Sequence, residues 1–280
     1  VNSMALELTG EKPEFIDPFN GLQDLAARIL RTPVRPRDSF NDDPLRMMRA
    51  ARFASQLDFE IAPEVLTSMK DLAHRISIIS AERLRDEFIK IVMSANPRIG
   101  ITLLVDTGLA EIVLPEIPKL RLEVDEHHHH KDVYEHSITV LEQAIELEER
   151  LGGPNLVIRI AALLHDIGKP KTRAFIEGGG VSFHHHEVVG ARLAKKRLQA
   201  LRFDNDTIDA VELLTMLHLR FHGYGEGEWT DSAVRRYVRD AGDFITHLHV
   251  LTRADCTTRN KTKAARLSAT YDSLEARINV

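Results

Sequence analysis

The stretch "LLHDIGKP" sets an imidazole and a carboxylate, His165 and Asp166, side by side at the end of an apolar helical pattern, with Gly168 as a helix-stop signal. Adjacent helical residues diverge by about 100°, but at a fraying helix end both side chains can turn toward one ion. His136 in "DVYEHSITV", His186 in "HEVVGARLA", His218 in "TMLHLRFH" and Asp255 in "LTRADCTTR" stand within or beside helical apolar patterns, so each could project inward from a bundle. Neutral imidazoles with carboxylates suit a divalent transition metal or Mg²⁺. Such an ion lowers the pKa of bound water and makes it a nucleophile toward phosphate. Taken singly, His136, His218 and Asp255 read better as hydrogen-bonded core residues. The ordered set (His, His-Asp, His, Asp) argues against that for the group.

A second chemical stretch is "NDDPLRMMRAARF". Pro44 suits the first position of a helix, where its missing N–H costs nothing. Asp43 is then the N-cap, its carboxylate satisfying orphan amides. Arg46, Arg49 and Arg52 follow at every third residue and drift slowly around the helix, so all three can line one groove. Their planar, permanently charged guanidinium groups suit phosphates and base edges. The bland alternative is a solvated flank paired with nearby acids.

The elements that must position these residues read as helices almost throughout. "GLQDLAARILR" has helical spacing, and "TPVRPRDSFNDDP" reads as a connector. Helical patterns then run from Leu45 to Leu57, over "PEVLTSMKDLAHRI", over "SAERLRDEFIKIVMS" with Ser80 as N-cap, and over "PRIGITLLVDTGLAEIVLPEI" with a break at Gly108. The polar "EVDEHHHHKD" marks a boundary. Beyond it the pattern predicts helices over 133–151, 155–167, 186–201, 205–221, 231–240 and 243–280, with glycine-rich loops at "EGGGVSF" and "HGYGEGEW". No internal repeat is evident. The fold class is all-α, and aromatics at 6% point to aliphatic helix packing.

The 280 residues are 43% hydrophobic, enough for a substantial core, and carry a net charge of −5, which excludes a globally basic nucleic-acid binder. Any polyanion site is therefore local, as in the arginine-rich segment 28–52. One cysteine, Cys256, excludes a disulfide framework and a cysteine zinc site and favours a reducing, cytoplasmic compartment. No signal peptide is evident, and the longest apolar run, "LVIRIAALL", carries Arg159 and is too short to span a bilayer. The chain opens on Val1 and closes on a helical pattern without a cap, and reads as a piece of a longer protein.

Residues 130–260 resemble the HD-domain phosphohydrolase superfamily, most closely at "HDIGKP". The resemblance implies His136, His165, Asp166 and Asp255 as ligands of a divalent metal such as Mn²⁺, Ni²⁺ or Mg²⁺. It implies Lys169 as a phosphate contact, and His186 and His218 as ligands of a second ion or as catalytic side chains; His222 competes with His218 for that role. The tetrad His127–His130 reads as a solvated linker, since consecutive residues cannot all face one ion. His184 and His185 are ambiguous, while His74, His247 and His249 read as packing or solvent-facing.

"DDPLRMMRAARF" resembles the nucleotide-recognition motif of the class II CCA-adding tRNA nucleotidyltransferase and bacterial poly(A) polymerase family, in which an HD domain follows the neck in several members. The segments around it agree in order. "VNSMALEL" resembles the end of the ribose-selecting motif, including Asn2. "DPFNGLQDLAARILR" resembles the head-to-neck segment at Asp17, Gly21, Asp24 and Arg28. "SAERLRDEF" resembles a neck motif at Glu82, Arg83 and Glu87. The resemblance implies a nucleotide site of Asp43, Arg46, Arg49, Arg52 and Asn2. It also implies CTP and ATP as substrates, Mg²⁺ as cofactor, and tRNA as partner for template-independent CCA addition. Asp43 would accept from the exocyclic amine of cytosine or adenine while Arg46 supplies donors. Implied domains are a remnant of an α/β nucleotidyltransferase head over 1–25, a helical neck and body over 26–125, and an HD domain over 126–280. The family's Gly-Gly-x-x-Arg-Asp loop does not occur in this sequence, and its one Asp-x-Asp, Asp204–Asn205–Asp206, lies far beyond the arginine stretch rather than upstream of it, so no polymerisation is expected from this chain alone. Poly(A) addition, HD phosphohydrolysis, or a metal-free tRNA support are the competing functions.

Overall fold

A computed structural model describes residues 3–9, 13–121, 132–176, 180–221, 229–257 and 260–278. They form two compact units, Val1–Val113 and Leu114–Val280.

The first unit opens with two short antiparallel strands, β1 (Ala5–Glu7) and β2 (Glu14–Ile16), with Ala5 opposite Ile16. Helix α1 (Gly21–Ala26) follows. Asp17 caps it from a distance: its carboxylate accepts from the amides of Leu22 at 2.9 Å and Gly21 at 2.6 Å. Those two bonds hold the Asp17 acid below the usual carboxylate range. The helix expected to run on through Arg31 stops here. Arg28 turns left-handed at φ 57°, and Ile29–Leu30 (β3) pairs in parallel with Glu60–Ile61 (β4). Arg28 closes the return by reaching the Asp58 carboxylate at 2.9 Å.

The expected connector also contains a helix, α2 (Pro36–Asp42), which starts on a proline and buries Phe40. Then come α3 (Leu45–Leu57), α4 (Pro63–Leu72), α5 (Ala81–Val92), α6 (Pro97–Asp106) and α7 (Ala110–Val113). Ser80 takes the N-cap position of α5, although its hydroxyl makes no cap hydrogen bond. Helix α3 packs on α5 and α6 and is the centre of this unit. It buries Met47, Met48, Ala51 and Ala54 against a core that includes Phe88, Ile91, Ile101 and Leu104. That burial fixes which face of α3 its arginines can use.

Among its described residues, the second unit is helical apart from one small hairpin. Its helices are α8 (Val133–Glu146), α9 (Leu156–Leu164), α10 (Lys169–Thr172), α11 (His186–Ala200), α12 (Asn205–Leu217), α13 (Asp231–Ala241), α14 (Ile245–Ala254) and α15 (Lys261–Ile278). Between α10 and α11, β5 (Ala174–Phe175) pairs with β6 (Val181–Ser182). Side-chain caps at Asp132, Asn155, Asp204 and Thr230 start α8, α9, α12 and α13.

Helix α9 is apolar on every side and lies at the centre, touching α8, α12 and α14; α11 runs along α12. Its one charge, Arg159, is buried but paired at 2.7 Å from two nitrogens to the two oxygens of Glu148. A fork of this kind satisfies both buried ions at once. Among the described residues, no helix is long and apolar enough to cross a membrane.

Candidate functional site

The histidines and aspartates singled out from the sequence converge in the second unit, mostly at helix ends. His165, His218 and Asp255 occupy the C-terminal caps of α9, α12 and α14. His186 opens α11, and His136 lies in the first turn of α8. Helix ends free these side chains from the packed faces. Three C-terminal ends also bring partial negative charge to one place, which favours a cation there.

Two sets of ligand atoms result, His136–His165–Asp255 and Asp166–His186–His218. Asp166 stands between them. Its Oδ2 lies 3.2 Å from His165 Nε2 and 3.6 Å from His136 Nε2, and its Oδ1 lies 3.2 Å from His186 Nε2 and 3.9 Å from His218 Nε2. His136 Nε2 is 2.9 Å from Asp255 Oδ1. The site is buried around Asp166, His165 and His218, while His136 and Asp255 are half-open.

Backbone carbonyls fix the tautomers. His165, His186 and His218 each direct Nδ1 to the carbonyl three residues earlier: Ala162 at 2.8 Å, Phe183 at 2.8 Å and Thr215 at 2.7 Å. With Nδ1–H donating there, the Nε2 lone pair of a neutral ring points into the cluster. All three Nε2 atoms are buried and make no hydrogen bond. Buried unsatisfied nitrogens facing a carboxylate fit a cation better than a packed core.

Electrostatics agree. Burial pushes His218 down to about 3, so its ring stays neutral. Burial also opposes charge on His165 and Asp166, but their mutual attraction outweighs it, raising His165 to about 10 and holding Asp166 well below the carboxylate range. The cluster thus strongly favours a positive charge beside Asp166. Lys169 adds one, with Nζ 2.6 Å from Asp166 Oδ2 and over the Phe183 ring.

Other histidines stand apart. His184 and His185 are exposed, His74 is exposed, His247 contacts Asn155 at 3.2 Å, and His249 is buried near Glu275. His127–His130, His222 and Asn2 lie outside the described residues. Gly168 differs from expectation. Its φ of −77° is ordinary right-handed geometry, and it leads straight into α10 rather than stopping α9.

In the first unit, α3 spans Leu45–Leu57 as the pattern predicts, but its cap shifts by one residue. Pro44 takes the N-cap position, yet the Asp43 carboxylate still accepts from Leu45 N at 3.2 Å. Asp43 also pairs with Arg83 at 3.3 Å. Arg46 reaches Ser39, bonding its carbonyl at 3.2 Å and its hydroxyl at 3.0 Å. Arg49 and Arg52 converge on Glu87 of α5, at 3.6 Å and 2.9 Å, and Arg52 also lies over Phe53. Glu87 is buried, so it organises the arginine row from below. In the sequence Glu87 stands out only as a motif match, because a pairing between α3 and α5 has no local signal.

Two segments of the chain match known families. Residues 58–120 match the family model described as the probable RNA and SrmB-binding site of polymerase A, and residues 133–260 match that of the HD domain. The chain is 36% identical over 231 residues to the multifunctional CCA protein of Neisseria meningitidis, covering 81% of this chain and 52% of that protein. It is 33% identical over 261 residues to the A-adding tRNA nucleotidyltransferase of Deinococcus radiodurans, covering 91% and 57%. The chain is thus a relative of CCA-adding and A-adding tRNA nucleotidyltransferases and carries an HD domain. It spans about half the length of the curated relatives it matches. The fold is that of solved CCA-adding enzymes. The Bacillus stearothermophilus enzyme in complex with CTP superposes at TM-score 0.62 and 21% identity over 99% of this chain and 56% of that one. The Thermotoga maritima enzyme complexed with tRNA gives 0.62 and 15% over 95% and 55%.

Proposed function

We propose that this chain serves tRNA 3′-end maturation by CCA addition. Its first unit selects CTP and ATP and helps hold the RNA, and its second unit is a metal-dependent phosphohydrolase. The relationship to a multifunctional CCA protein, which covers 231 residues of this chain, carries the first part. On this reading residues 1–25 are the end of the nucleotidyltransferase head, 26–125 the neck and body, and 126–280 the HD domain. The Mg²⁺ of nucleotidyl transfer belongs to head carboxylates that this sequence does not contain.

Asp43 and Arg46 act as a template for the base. Both lie at the mouth of α3, where the carboxylate offers an acceptor and the guanidinium a planar set of donors. Cytosine and adenine present an amine to Asp43, whereas uracil and guanine present a carbonyl and leave it unpaired. Arg49 and Arg52, held by Glu87, keep the row in register and offer charge to the nucleotide phosphates.

The phosphohydrolase reading is favoured by the placement of Asp166 between two ligand sets. His136, His165 and Asp255 would hold one divalent cation, His186 and His218 a second, with Asp166 shared. Such cations supply Lewis acidity and charge for phosphate-ester hydrolysis. His165, His186 and His218 contribute fixed Nε2 lone pairs, and their carbonyl partners prevent the rings from turning. Lys169, partly open to solvent, moves from Asp166 to the incoming phosphate and orients it. The buried floor around His165 and His218 excludes bulk water.

The test joins this chain to the catalytic half of such a relative. With tRNA lacking its 3′ end, CTP and ATP should be incorporated over UTP and GTP; incorporation of ATP alone would make the enzyme an A-adding one. Separately, the 280-residue chain should release phosphate from nucleotide or RNA phosphate ends with Mn²⁺, Ni²⁺ or Mg²⁺ and stop on chelation. Binding of tRNA without metal or phosphate release would make the second unit a tRNA support.

A further inference from the structure

We infer that Gly168 is a positioning residue: its missing side chain lets the start of α11 approach the His165–Asp166 turn closely enough for His186 to reach Asp166. The conformation of Gly168 does not call for glycine, because φ −77° and ψ −23° suit any residue. The space does. A Cβ at Gly168 would fall on the backbone of α11, meeting the His186 carbonyl oxygen, the Gly190 nitrogen at 2.7 Å and the His186 carbonyl carbon at 2.9 Å. Backbone atoms of a helix cannot rotate aside as a flexible side-chain tip can, so α11 itself must move.

The partner position is glycine as well. Gly190 lies one turn along α11 and faces Gly168, and a Cβ there would meet Gly168 N at 3.3 Å, Thr215 Cγ2 at 3.4 Å and the His165 carbonyl at 3.5 Å. These are tight but near ordinary contacts. The two glycines therefore make an unequal pair: 168 admits no methyl group, while 190 admits one with a small adjustment. What moves when 168 is filled is specific. His186 carries the displaced carbonyl, and its ring reaches Asp166 Oδ1 at 3.2 Å and stacks obliquely near His218, with centroids 5.3 Å apart. His136 and His165 come from α8 and α9, and their rings, also 5.3 Å apart, do not depend on α11. Filling position 168 should open the His186 side of the cluster and spare the other.

The proposal rests on the two-cation reading for its functional consequence, but its geometry can be read without metal. In the ion-free protein, nuclear Overhauser contacts between the His186 and His218 rings should disappear in Gly168→Ala, while those between His136 and His165 remain. Titration with Mn²⁺ should then show one ion bound as in the wild type and the second weakened about 10- to 100-fold. Gly190→Ala should keep both ring contacts and both ions. Gly190→Val, which presses on Gly168 from the other side, should reproduce the loss and gives the reading if Gly168→Ala does not fold. In the double variant Gly168→Ala/His186→Ala, second-ion binding should equal that of His186→Ala alone. Retained His186–His218 contacts in Gly168→Ala, or equal loss of both ring pairs, would overturn the proposal. If the wild type binds no ion but the ring contacts change as stated, the metal reading fails and the positioning role stands.

Discussion

Arg83 Nη2 lies 3.3 Å from the Asp43 carboxylate, so the acid proposed to read a base edge is already neutralised by a neighbour on α5. Both side chains are open enough to water for the pair to be weak, of the order of 0–1 kcal/mol. A base amine can therefore displace Arg83 at little cost. The contact presets Asp43 without locking it.

Substitution of Asp43 or Arg46 by alanine should consequently abolish selection while leaving the fold intact. Lost cap bonding at Asp43 costs about 1 kcal/mol. Mispairing at a template costs about 1–3 kcal/mol per unsatisfied buried group, enough to separate CTP and ATP from UTP and GTP. The measurement is relative incorporation of the four nucleotides by this chain joined to the catalytic half of a CCA-adding relative. Unchanged preference in both variants would leave Asp43 as a cap and nothing more.

Glu87 should matter to stability far more than Arg49. It is buried, and Arg52 is only slightly exposed, so Glu87→Ala strands a poorly solvated guanidinium and should cost about 3 kcal/mol in urea unfolding. Arg49, more exposed, should cost less than about 1 kcal/mol when replaced by alanine. Equal costs for the two would show that the row is not organised from Glu87.

The cap on α1 predicts a pH dependence. The Asp17 acid is depressed by the Leu22 and Gly21 amides, so its bonds are fully present above the ordinary aspartate range and are lost as pH falls through the lowered value. Amide exchange at Gly21 and Leu22 should accelerate there at low pH beyond the intrinsic trend, and Asp17→Asn should remove that step.

The clustering of these side chains was legible because they leave local marks. His165 and Asp166 are adjacent, and the other members of the cluster stand at or near the ends of recognisable helical segments. The helices of the second unit follow for the same reason. Four features were not legible. A two-residue pairing such as Ile29–Leu30 with Glu60–Ile61 has no periodicity, and α2 is one short helix among prolines. Gly168 looks in sequence like a helix stop, yet its role is to let two backbones meet. Glu87 pairs with Arg49 and Arg52 across 35 residues or more, and only packing reveals that.

Metal stoichiometry decides whether Asp166 joins two cation sites. Calorimetric titration of the metal-stripped chain with Mn²⁺, Ni²⁺ or Mg²⁺ should find two ions in the wild type. His218→Ala should lose one of them, Asp255→Ala the other, and Asp166→Ala both. No ion bound by the wild type, or two ions still bound by Asp166→Ala, would contradict the account.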